Sequence, residues 1–186
     1  MTLTREDAYR LLTEYTAKEA LLKHALAVEA AMRAYARKFR EDEEAWGIVG
    51  LLHDFDYEKY PSLEFHPMEG AKILRAKGYP EEWITAIQGH AEHTGVPRET
   101  LMAKTLFAVD ELCGFITAVT YVRPNRRLAE VTVESVKKKL KDKRFAAQVR
   151  REDIQRGAEE LGVELDEHVR FTIAAMQGIA GKLGLG

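Results

Sequence analysis

Cysteine is nearly absent from this sequence. Cys113 stands alone, which excludes an intramolecular disulfide and any zinc site built from several thiolates. A reduced, cytoplasmic setting is the expectation that follows. Prolines number five, and stretches of alternating apolar and polar residues are few, so the chain offers little to a β-sheet. No apolar run is long enough to span a bilayer, because Asp110 and Glu111 interrupt the best candidate. A membrane partner is therefore not expected. An excess of one charge is lacking too. The 28 basic and 30 acidic side chains leave a formal net charge of -2, which argues against general nucleic-acid binding. The opening stretch, residues 1–7, mixes both charges without an apolar core segment, so a secretory leader is not expected.

What the chain does have is helical periodicity almost end to end, and an all-α fold is the reading. At 186 residues, 46% hydrophobic and 31% charged, it suits one domain over 1–186 with a sizeable core. Thr4 with Asp7 resembles a capping pair and opens a helix over 4–16. A second, over 18–39, puts Leu21, Val28, Met32, Tyr35 and Phe39 on one side, with His24 among them. The third, over 43–52, carries Trp46, Ile48, Val49 and Leu52 and runs straight into His53-Asp54. Residues 55–65, rich in aromatics and charges, read as a loop and a wall of a site. Pro67 opens a fourth helix that stops at Gly78, and Pro80 a fifth with Trp83, Ile87 and His90 on one face. A long sixth helix over 98–121 carries Asp110 between Leu106, Phe107 and Cys113, with room beside it at Gly114. Thr132 caps a short helix, and helices over 152–161 and 165–183 complete a tail expected to pack on those before it. Between them, residues 137–151 hold eight basic side chains against one acid, Asp142, and read as a solvated, charged face.

An imidazole and a carboxylate side by side at the end of an apolar run are each costly to bury without a partner. For an isolated His53-Asp54 pair the bland reading is a solvated helix end. The rest of the chain argues otherwise. His24, His53, Asp54, His66, His90, His93 and Asp110 lie on or beside apolar stripes, and they include five of the six histidines. Imidazole and carboxylate donors without thiolate suit Mn, Fe, Zn or, less tightly, Mg. His24, His53, Asp54 and Asp110 can hold one ion. Asp54 has a second oxygen to bridge to another, where His66 and His90 complete the site and His93 competes with His90. Water held by such ions ionises near neutrality and becomes a nucleophile. Cys113 reads as a small apolar filler, Met32 and Trp83 as core, and His168, among Glu164, Asp166, Glu167 and Arg170, as a surface residue.

The order His24, His53-Asp54, distant Asp110 is similar to that of the HD-domain metal-dependent phosphohydrolases. His66-Pro67-x-x-Gly70-Ala71 and Ala86-Ile87-x-x-His90 resemble the additional histidines of the two-metal branch, which includes HD-GYP phosphodiesterases and symmetrical diadenosine-tetraphosphate hydrolases. The whole chain looks most like small HDIG-type HD hydrolases. This resemblance covers residues 21–115 and implies an HD-domain helical bundle, with its core over 18–122 and a C-terminal helical extension over 130–184. It implies one or two divalent metal ions, and attack of metal-bound hydroxide on the phosphorus of a small phosphorylated molecule, a nucleotide first among them. HD-GYP proteins continue His-Asp with a small apolar residue, Gly and Lys, whereas Phe55-Asp56-Tyr57 follows here. A cyclic-dinucleotide phosphodiesterase is therefore poorly supported. Lys59 or Lys104 would replace the missing lysine at the phosphate, and Arg123, Arg126 and Arg127 follow the Asp110 helix toward the same pocket. Asp54, with Glu92 and Glu111 as candidate general acids, makes up the catalytic set, and a homodimer is compatible with it. Two readings compete with hydrolysis. Oxygen consumption at redox-active iron would mark a di-iron HD-fold oxygenase, and tight metal retention without turnover a non-catalytic sensor module.

Overall fold

The computed structural model describes residues 3–186, which form ten α-helices and no strand. Met1 and Thr2, the start of the mixed-charge opening stretch, lie outside these described residues. Helix α1 (Arg5–Tyr15) begins at a reciprocal cap, in which Thr4 Oγ1 accepts from Asp7 N and the Asp7 carboxylate accepts from Thr4 N. Two backbone donors that no helical carbonyl can reach are satisfied in this way. Helix α2 (Glu19–Phe39) buries Ala25, Val28, Ala31, Met32 and Tyr35, and α3 (Glu43–Leu52), capped by Asp42, packs along it. Gly50 permits this approach, since a Cβ there would stand 3.0 Å from the Val28 carbonyl oxygen and 3.1 Å from Glu29 Cα. Buried Glu29 accepts from both Arg5 and Arg33, which fixes α1 to α2 without leaving a lone internal charge.

The chain continues through α4 (Met68–Ala76), α5 (Glu81–Gly89) and a 3-10 turn, Glu92–Thr94, to α6 (Leu101–Tyr121). Thr100 caps α6, and apolar residues of nearly every face of that helix are buried. A helix apolar all round belongs in the interior. Helices α2, α5, α8 and α9 accordingly surround α6.

A 3-10 turn, Leu128–Glu130, leads to α7 (Val133–Leu140), a segment over 141–150, α8 (Arg151–Leu161), α9 (Leu165–Gln177) and α10 (Ala180–Leu183). This tail is built into the core. Gly157 of α8 lies so close to α6 that a Cβ on it would be 2.7 Å from Ala108 Cα. His168 of α9 has no exposed surface, which corrects the surface position expected for it. Its acidic and basic neighbours in sequence point elsewhere, because the helical period groups His168 with Val169, Thr172 and Ile173 on the inner face. His168 Nε2–H donates to the Ala108 carbonyl at 2.8 Å, so Nδ1 is left to accept the Tyr35 hydroxyl at 2.6 Å. Burial holds the pKa of this imidazole below its ordinary value. The single helix expected over 165–183 is divided after Gln177, where Gly178 closes α9 and Ile179 leaves helical geometry with φ -124° before α10. Among the described residues no helix is long and apolar enough to cross a membrane.

Candidate metal centre

Five segments converge on one cleft of about 520 Å³. The middle of α2 supplies His24 and the middle of α6 supplies Asp110, while His53-Asp54 and His90 follow the last residues of α3 and α5. His66 sits just before α4. A helix end leaves its last carbonyls without helical partners, and two of the imidazoles use them. His53 Nδ1–H donates to the Gly50 carbonyl at 2.7 Å, and His90 Nδ1–H donates in the same way to the Ile87 carbonyl. Each bond fixes the tautomer and turns the Nε2 lone pair toward the cleft. His66 is held by a side chain instead. Its Nδ1–H donates to Asp56 Oδ1 at 2.7 Å, and Asp56 Oδ2 accepts from Gly70 N at 2.8 Å.

The donor atoms fall into two sets, one of His24, His53, Asp54 and Asp110 and one of Asp54, His66 and His90, with the atoms of each within 4.8 Å of one another. Asp54 belongs to both and divides its oxygens between them. Oδ2 lies 3.4 Å from His53 Nε2, while Oδ1 lies 3.1 Å from His66 Nε2 and 3.2 Å from His90 Nε2. Asp110 Oδ1 lies 2.9 Å from His24 Nε2 and 3.2 Å from His53 Nε2. Despite these short distances, the geometry gives His53 Nε2, fully buried, no hydrogen-bond partner. A buried imidazole nitrogen aimed between two carboxylates is satisfied by a divalent cation. With oxygen and imidazole donors alone, the sets fit Mn, Fe, Zn or Mg.

The charges in the cleft act strongly on one another. Burial alone would lower the pKa of His53, yet Asp54 and Asp110 hold it well above the ordinary imidazole value. Burial opposes ionisation of Asp54 as well, and the charge of His53, with the nearby imidazoles of His66 and His90, holds it well below the carboxylate range. Asp110 is depressed likewise by His53 and His24 against its burial. His66 rises to about 9, since Asp54 and Asp56 outweigh its desolvation. Glu111 goes the other way. Burial first, then the neighbouring Asp110, pushes it up to about 7.

An all-α bundle that gathers two fused imidazole–carboxylate sets defines a metal-binding class of helical proteins. A family model described as HD domain matches residues 21–114, and the chain belongs to that family. Its members are mostly metal-dependent phosphohydrolases. No solved structure matches the chain.

Several residues expected at the site have other partners or lie outside the cleft. His93 lines the cleft but joins neither set, because its Nε2–H donates to the His66 carbonyl at 2.8 Å. Glu92, a candidate proton donor, lines the cleft but is bound to Arg98 at 2.7 Å and Arg156 at 3.1 Å. Lys59 Nζ lies 3.9 Å above the Tyr15 ring and does not line the cleft. Lys104 borders a separate hollow beside Arg98 and Glu160. Arg123 follows the end of α6, roughly 20 Å along the helix from Asp110, and it too is absent from the lining. Glu111 does line the cleft, where it accepts a 3.3 Å hydrogen bond from Arg150 N. Cys113 is fully buried and its thiol pKa is pushed up by that burial, in keeping with a packing role.

Other residues entered the site without being anticipated. Asp56 is 1% exposed and holds His66. Gln148, Val149, Arg150 and Asp153 close the cleft from the tail. The basic stretch over 137–151 is therefore not simply a solvated face. Arg150 borders the cleft and is paired with Asp153 at 3.1 Å. Arg151 donates to the carbonyls of Leu140, Asp142, Phe145, Ala146 and Val149, and so folds the preceding segment around itself. A run of charges carries no signal that one of its members will serve as an internal clamp. Asp56 could have been noticed as an acid two residues beyond Asp54, in the loop that leads to His66.

Proposed function

We propose that this chain is a metal-dependent phosphohydrolase that transfers the phosphoryl group of a small phosphorylated molecule to water. The observation that carries the reading is the pair of donor sets fused through one carboxylate, Asp54. Two ions held in this way, when bound, supply Lewis-acid charge for the phosphoryl oxygens and lower the pKa of attacking water. The side chains of the protein supply orientation. Backbone carbonyls at the ends of α3 and α5 aim His53 and His90, Asp56 aims His66, and Asp54 and Asp110 provide the negative charge that retains the cations. Glu92 is engaged by two arginines, so Glu111 is the carboxyl group left to give a proton to the departing oxygen. Arg150 and Gln148 line the cleft, which supports a role for them, rather than for Lys59, Lys104 or Arg123, in binding substrate oxygens. A cleft of about 520 Å³ suits a small molecule.

The test is Asp54→Ala. The wild-type chain loaded with Mn or Mg should release phosphate from a panel of nucleotides and phosphate esters. The variant should keep its helical circular-dichroism signal, lose both ions by elemental analysis and release no phosphate. Wild-type metal content together with wild-type turnover in the variant would overturn the assignment.

A further inference from the structure

Beside the cleft, across His24 and Gly114, lies a second hollow of about 210 Å³ that opens to the surface between the exposed Ala20 and Tyr121. His24 and Gly114 border both spaces. Apart from its chain neighbours and the backbone of its own helix, no described residue stands within 4 Å of the point where a Gly114 Cβ would be, so Gly114 leaves free space at the border that the two hollows share. The walls of this hollow are chiefly apolar: Ala20 of α2, Tyr121 at the end of α6, and Leu183 and Leu185 from α10 and the segment after it. Both leucines are almost fully buried, and Leu185 is fixed by hydrogen bonds of its N–H to Ala180 O and its carbonyl to Leu128 N, each 2.9 Å. The polar groups there are largely committed. The Lys23 ammonium is paired with Glu19, and the Thr117 hydroxyl donates to the Cys113 carbonyl at 3.0 Å. The Tyr121 ring is half exposed and presents a flat apolar face.

On the reading of the site as a phosphohydrolase, we infer that this compartment binds the non-phosphate part of the substrate, an uncharged group about the size of one aromatic ring. A phosphate placed between the two donor sets has His24 on one flank, so its ester substituent passes beside Gly114 into the neighbouring hollow. The apolar side chains of Ala20, Tyr121, Leu183 and Leu185 therefore favour monoesters whose alcohol carries a ring over those of short alkyl alcohols. Hydrolysis of such an ester breaks the bond between phosphorus and the bridging oxygen, adds water, and gives inorganic phosphate and the free alcohol.

Benzyl and ethyl phosphate are both esters of primary alcohols and differ chiefly in the ring. Their non-hydrolysable phosphonates measure binding apart from turnover. Metal-loaded wild-type protein should bind benzylphosphonate at least tenfold more tightly than ethylphosphonate by calorimetry, and kcat/KM should favour benzyl phosphate through KM. Gly114→Val fills the border between the two hollows and Thr117→Leu fills the second from another wall. Each should reduce the preference for the ring at least tenfold while bound metal per chain stays at the wild-type value. Equal affinity for the two phosphonates in wild type, or a full preference in both variants, overturns the compartment as a subsite. Selective binding of the ring without phosphate release with any divalent ion would overturn the hydrolase reading and leave the compartment standing.

Discussion

Asp56 governs what His66 can do. One of its oxygens accepts the Nδ1–H of His66 and the other the backbone N–H of Gly70, so both are committed to donors. Asp56→Asn keeps the shape but turns an amide N–H₂ toward one of those donors. The Nδ1 partner of a metal-binding histidine sets its orientation and basicity, and losing it costs roughly 10–100-fold in metal affinity. Asp56→Asn should weaken the second ion by about that factor and leave the first in place. Metal titration followed by calorimetry checks this, and equal weakening of both ions would contradict it. Glu111 is tested by its leaving group. Glu111→Gln should slow hydrolysis of an alkyl ester by roughly 100-fold or more and of p-nitrophenyl phosphate far less, because nitrophenolate departs without a proton. Equal losses on the two esters would remove the proton-donor role.

The segment over 141–150 belongs to the element scale. It forms no helix, and its order comes from Arg151, whose guanidinium donates to five carbonyls of that segment and the end of α7 while lying 5.2 Å from the Phe115 ring. A planar, always charged fork can serve such diverging acceptors, and a lysine cannot. Gln148 and Arg150 reach the cleft from this segment. Arg151→Met should therefore raise amide hydrogen exchange across 141–150 and raise KM about tenfold, the equivalent of roughly 1.4 kcal/mol of lost ordering. Metal content should not change. A variant with unaltered exchange in that segment would show that other contacts order it.

At the scale of the whole molecule, His168 ties the tail to the two helices that carry His24 and Asp110. It meets the Tyr35 hydroxyl and the Lys38 charge on α2, and the Ala108 carbonyl on α6. Unfolding of α1–α6 and α7–α10 should thus be one cooperative transition, detected alike by far-UV and near-UV circular dichroism. The same residue makes stability depend on pH. Burial, helped by Lys38, keeps the folded pKa of His168 below that of the unfolded chain, which is about 6.5. Above that value neither state carries the proton and stability is complete. As pH falls through it, the unfolded chain takes up a proton that the folded chain refuses, and stability declines until the folded pKa is reached. The difference in melting temperature between wild type and His168→Gln should accordingly shrink between pH 7.5 and 5.5. A difference constant across that range would contradict a buried, neutral His168.

The sequence by itself determined the helical class and most helix limits, because caps such as Thr4 with Asp7, the apolar period and the stops at Gly78 and Pro80 act within a few residues. Third helix limits of 43–52 are those of α3. It also placed His24, His53, Asp54, His66, His90 and Asp110 on inward faces, since a polar residue at an apolar position shows in the local pattern. Only tertiary structure decided which neighbours those residues meet. The pairing of Asp56 with His66 depends on how a loop closes, and the burial of His168 on which face of α9 lies against α2 and α6. The choice of Arg150 over Lys59, Lys104 and Arg123 at the cleft depends on a clamp that crosses the chain. Long, solvated side chains carry no period that reports where they point, so the direction of a surface charge becomes fixed only when the surrounding backbone has folded.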